Sequence, residues 1–182
     1  MIADFVTQVW DRYRALKEQR ALAGLFHMIA FSDARGAALE TQIATSVLCI
    51  ESIKSYFALS EGSRYGIIEA PNGTFKWVGG GNVNFQDLLE QTLDDVGMPL
   101  PASFARIKKL RDAIVHRGFI RETDAITKHI FGAVPPGAMY RTMFETMEDM
   151  QDLLREFVLR LLAYKGPYEL YKDAGHVSKT LP

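Results

Sequence analysis

The chain has 182 residues, the length of one domain, and its 48% hydrophobic share can fill a core without disulfides or metal. Its 21 basic and 22 acidic side chains nearly cancel. That excludes a large electrostatic footprint for duplex nucleic acid but leaves room for a local basic cleft. A single cysteine, Cys49, excludes an intramolecular disulfide framework and a cysteine-based zinc site.

Taken in chain order, residues 3–31 have helical spacing: Phe5, Val9, Tyr13 and Leu16 recur every three or four positions. Gly24 is the expected interruption. Met1 to Arg20 carries charges throughout, unlike a secretory signal. A second helix is predicted from about Ala37 to Leu59, with Leu39, Ile43, Val47, Ile50 and Phe57 on one stripe. Cys49 sits in its apolar run and reads as a small buried hydrophobe. No run approaches ~18 apolar residues, so the expected setting is cytoplasmic, with no membrane partner.

Residues 62–82 change in texture. Asn72-Gly73 is a turn signal between Tyr65–Ile68 and Phe75–Val78, which predicts a β-hairpin inserted at about 64–78. Tyr65, Phe75 and Trp77 could stack bases or pack the hairpin onto helices, and packing is the preferred reading. Gly79-Gly80-Gly81 lacks the Lys-Ser/Thr of a phosphate loop and reads as a flexible joint.

Asn84 is a predicted N-cap with Asp87 three residues on, and Gly97 before Pro99 is the predicted stop. Ser103 precedes a helix over about 104–116, stopped by Gly118. A short helix is expected at 122–130, and Pro135-Pro136-Gly137 breaks the chain. Met143, Met147, Met150, Leu154, Phe157, Leu161 and Tyr164 form a heptad seam on the last helix, for core or dimer packing, and Gly166-Pro167 is its predicted stop. The tail over about 168–182 is polar and is expected to be loose. Together these elements predict one domain over 1–182. Its fold is all-α, an up-and-down bundle of about four or five helices with the small hairpin inserted.

The chemistry concentrates in Arg111-Asp112-Ala113-Ile114-Val115-His116. At ~100° per residue, Ile107, Leu110 and Ile114 share one face, and Arg111 lies only ~40° from Ile107. A guanidinium on the edge of an apolar face needs an anion. Glu51, on the flank of the 37–59 helix, is the candidate carboxylate, although a solvated flank would suit it too. Asp112 and His116 are four apart, so Asp112 could hold one imidazole nitrogen. Arg offers a planar fork for phosphate, and His can take a hydroxyl proton near neutral pH. Lys108, Lys109 and Arg117 could guide an RNA backbone or form a solvated face. The alternative for His116 is a helix-end residue that caps carbonyls, and for Arg111 a structural ion pair. Arg20 and His27 repeat the loosest spacing without a polar residue after the Arg. His129 and His176 are isolated and suggest no metal site, and no cofactor is expected.

The Arg111–His116 motif, followed by Arg117-Gly118 and set before a closing amphipathic helix, resembles the HEPN superfamily. The resemblance covers most of residues 37–165, apart from the hairpin. It implies a helical bundle that forms a homodimer with two motifs facing one cleft. It further implies a metal-independent endoribonuclease that leaves a 2′,3′-cyclic phosphate, in a defence or toxin–antitoxin role. Arg111, Asp112 and His116 are then the catalytic set, with Glu51, Lys108 and Arg117 binding. Other members have lost activity and bind RNA, nucleotides or protein partners such as an antitoxin, so a non-catalytic helical module is the alternative.

Overall fold

A computed structural model describes residues 2–34, 36–117, 138–171 and 177–182. The expected stop at Gly118, the short helix at 122–130, the break at Pro135-Pro136-Gly137, His129, His176 and the Arg117 side chain lie outside the described residues. Within them the protein is mainly helical, with six α-helices and two small antiparallel hairpins.

The predicted helix over 3–31 is two helices, α1 (Ile2–Leu16) and α2 (Leu22–Ser32). The break falls at 17–21, and Gly24 lies inside α2. Leu22 N–H donates to the Lys17 carbonyl at 2.9 Å and Ala21 N–H to Glu18 at 3.2 Å. Ala21 itself is left-handed, with φ 47°. This is a Schellman stop with alanine where glycine is usual. It turns the chain so that Leu16, Leu22 and Leu25 all bury.

The third helix, α3 (Leu39–Ser60), is the shared seat of the fold: α2 and the later helices Phe85–Asp94, Phe104–Arg117 and Ala138–Leu161 all pack on it. Ile43, Val47, Cys49, Ile50, Ile53 and Phe57 are buried along it. Burial pushes the Cys49 thiol up to about 12, so it is a packing group. By length and composition alone α3 could cross a membrane, contrary to the expectation from its sequence; half of that window is buried within the protein.

After a 3-10 turn (Gly62–Tyr65), β1 (Ile67–Glu69) and β2 (Phe75–Trp77) pair in antiparallel fashion, Ile67 opposite Trp77. Gly73 takes a left-handed φ of 76°, and Asn72 Oδ1 accepts from Thr74 N–H and Oγ1. Ile67, Tyr65, Phe75 and Trp77 pack on Phe57 and Leu88, a second small core. Gly80 and Gly81, the expected joint, form a hydrogen-bonded turn: Gly80 N–H bonds the Trp77 carbonyl and Trp77 N–H the Gly81 carbonyl.

Helix α4 (Phe85–Asp94) starts as predicted, Asn84 Oδ1 accepting from Asp87 N–H at 3.0 Å. It ends in a second Schellman stop at Gly97, with Met98 N–H on Leu93 and Gly97 N–H on Asp94. Helix α5 (Phe104–Arg117) follows Ser103, whose carbonyl accepts from Arg106 and Ile107. In α6 (Ala138–Leu161) the seam from Met143 to Leu161 is buried as predicted. Its stop, three residues before Gly166, again uses a left-handed alanine, Ala163, with φ 55°.

The expected loose tail is a second hairpin. β3 (Gly166–Glu169) pairs with β4 (Ser178–Leu181), Gly166 opposite Leu181. Tyr168 and Leu181 are buried. The anchor is Glu156 on α6, which accepts from Tyr168 Oη at 2.7 Å, Lys179 Nζ at 2.6 Å and Arg160 Nε at 2.8 Å. A polar-looking tail docks because one nearly buried carboxylate gathers its donors.

Candidate functional site

Helix α5 lays Ile107, Leu110 and Ala113 into the core, with Ile114 packed beside them. That fixes the rotation of the helix and sets Arg111 at the edge of the core, its side chain 17% exposed. The guanidinium finds the carboxylate its position requires. Arg111 Nε donates to Glu51 Oε1 at 2.5 Å, across the α3–α5 contact. Arg111 Nη1 donates to Asp112 Oδ1 at 2.9 Å. The plane also lies over the Phe85 ring, 4.8 Å from its centroid.

Two residues of this network escaped sequence reasoning. Lys54 Nζ takes the other Glu51 oxygen at 2.7 Å and sits 5.9 Å from the Phe85 centroid. Its signal was there, a Glu-to-Lys step of three on one helix. Phe85 leads α4 and stacks on Phe104 at 6.1 Å between centroids. No local signal places a ring from α4 under an arginine of α5; only the packing of both on α3 does so.

Asp112 corrects an expectation. Its Oδ2 accepts from Lys108 Nζ at 3.0 Å and its Oδ1 is held by Arg111. The carboxylate therefore turns to the preceding helical turn, away from the His116 partnership that a shared face suggested. Both neighbours are full cations, which attract a carboxylate more strongly than a neutral imidazole does. Burial works to raise the Asp112 pKa, but hydrogen bonds from Arg111 and Lys108 outweigh it and hold it below its ordinary value. Burial likewise opposes the Arg111 charge, and the bonds to Glu51 and Asp112 keep its pKa raised.

His116 is exposed in the last described turn of α5, beside exposed Val115. Lys108 is half-exposed, and Lys108, Asp112 and His116 follow one another at steps of four along one outer flank of α5, with Arg111 on its core-side edge. Arg20 plays no part here. It is buried between the ends of α3 and α4, paired with Asp95 at 3.2 Å and set over Phe57.

A cleft of ≈ 480 Å³ lies elsewhere, between the 98–103 loop, α6 and the C-terminal hairpin. On its walls Arg106 pairs with Asp149 and Lys179 with Glu156, and no motif residue borders it. Among the described residues no group of three or more His, Cys, Asp or Glu could hold a metal ion. Comparison of the chain with family models, with curated proteins and with solved structures finds no match.

Proposed function

We propose that this protein is a HEPN-like, metal-independent endoribonuclease that works as a homodimer. The observation that carries the reading is a guanidinium fixed by Glu51 and Phe85 at the edge of the core, with an exposed imidazole five residues further along the same helix. The packing of α2, α4, α5 and α6 on α3 supports the up-and-down bundle that goes with it. A cytoplasmic defence or toxin–antitoxin role follows from the same resemblance.

His116 takes the proton of a ribose 2′-hydroxyl, and the 2′-oxygen attacks the adjacent phosphorus. Arg111 holds the non-bridging oxygens as negative charge builds on them. The 5′-oxygen leaves with a proton returned by an imidazolium, giving a 2′,3′-cyclic phosphate and a 5′-hydroxyl. Arg111 and His116 stand ~140° apart around one helix. An isologous dimer that faces two motifs across a cleft brings the pair together between copies.

The test is cleavage of RNA in the presence of a chelator. His116→Ala is expected to lower the rate at least ~100-fold with an unchanged melting temperature, and a 2′-deoxy linkage to resist. A chain that is monomeric at micromolar concentration sinks the model.

A second reading has its own observation. Arg111 Nε and Nη1 are both taken by carboxylates of the same chain, which suits a structural ion pair in a non-catalytic module that binds nucleotide, RNA or a protein partner. That reading expects no cleavage by the wild type and a large loss of stability in Arg111→Ala.

A further inference from the structure

We propose that Asp112 is a built-in latch, an internal carboxylate occupying the seat between Arg111 and Lys108 that a nucleic-acid phosphate takes when it binds. The inference deepens the reading of the same site and rests on it for the identity of the ligand.

Three features carry it. Asp112 bridges two cations with separate oxygens, Oδ1 to Arg111 Nη1 at 2.9 Å and Oδ2 to Lys108 Nζ at 3.0 Å. Two cations converging on two oxygens of one anion is also the pattern that recognises phosphate. Arg111 is not free to turn away, because Nε is held by Glu51 and the plane rests on Phe85. The guanidinium edge is thus fixed while the anion on it can be exchanged. Asp112 is the more exposed partner, 35% against 17% for Arg111, so its side chain is the more open to solvent of the two.

The bonds oppose ligand binding. An incoming phosphate must displace Asp112 before it meets Nη1 or Lys108, and the released carboxylate then stands beside it as a like charge. Removing the carboxylate charge therefore strengthens phosphate binding. A catalytic or merely supporting role for Asp112 requires the opposite sign.

The experiment titrates inorganic phosphate, and separately a 2′-deoxy dinucleotide that cannot be cleaved, into the wild type, Asp112→Asn and Asp112→Asn/Lys108→Ala. Amide and guanidinium NMR shifts report binding, and circular dichroism checks folding. Asp112→Asn is expected to tighten both probes about three- to tenfold, the scale of one or two partly exposed ion pairs. The added Lys108→Ala is expected to reverse the gain. Unchanged or weaker binding in a folded Asp112→Asn overturns the latch. RNA cleavage by wild type and His116→Ala is scored in parallel. Tighter phosphate binding without wild-type cleavage keeps the latch and removes the ribonuclease reading; cleavage without tighter binding does the reverse.

Discussion

Glu51 holds two cations on two separate oxygens, Arg111 from α5 and Lys54 from its own helix, beside a phenyl ring. Removing that charge leaves both cations facing one another in a largely enclosed place. Glu51→Gln is expected to destabilise the protein by about 1–3 kcal/mol, read by urea denaturation, because a partly buried pair has lost one side. Asp112→Asn, whose partners are more exposed, is expected to cost under about 1 kcal/mol in the same measurement. At this scale the sequence was informative where helical geometry decides. The placement of Arg111 at the edge of an apolar face implied a carboxylate, and Glu51 supplies it. It misled for Asp112, since spacing says which residues share a face and not which of two neighbours binds more strongly.

Helix ends show the same division. The stops at Ala21, Gly97 and Ala163 use one hydrogen-bond pattern, but only Gly97 was readable, because only there does the left-handed residue carry the usual signature. Ala21 hid a helix break, and Ala163 ends α6 a few residues before the predicted stop at Gly166-Pro167. The two alanines also leave strain in place, since a Cβ is disfavoured at positive φ. Ala21→Gly and Ala163→Gly are each expected to raise stability by about 0.5–1 kcal/mol, the relief of that strain less the added freedom of the unfolded chain. Gly97→Ala is expected to lower it by about 1 kcal/mol. Thermal and urea unfolding of the three variants would check the opposite signs. The Asn84 cap was legible because it rests on a contact within one turn, and the α6 seam because its burial follows the helical spacing of its apolar residues. The C-terminal hairpin was not, since its docking depends on Glu156, reached only through tertiary packing.

For the whole molecule, Glu156 ties the C-terminal hairpin to the helices. Burial alone would raise its pKa; bonds from Lys179, Tyr168 and Arg160 outweigh burial and hold it lowered. A depressed folded pKa contributes stability that is complete above the unfolded value of about 4.3 and is lost as pH falls through the folded one. Glu156→Gln is therefore expected to be less stable than wild type by about 1–3 kcal/mol at pH 7, with the difference shrinking as pH falls below about 4. Denaturation midpoints from pH 7 to pH 3 measure it; a difference independent of pH removes the charge from the explanation.

Tyr164 has a further consequence. Its ring packs on Phe5 at 5.2 Å and its hydroxyl donates to the Pro167 carbonyl at 3.0 Å, while Arg12 Nε donates to the Leu161 carbonyl and Lys165 N–H to Gln8. The first helix and the last hairpin thus lean on the end of α6 and the short stretch after it. Neither can leave without loosening the support of the other. They are expected to open as a single cooperative unit, with amides that exchange with solvent together and well before those of α3, which native-state hydrogen exchange would measure. The earliest partial unfolding is then expected to take both outer elements and leave the helix that carries Glu51 in place.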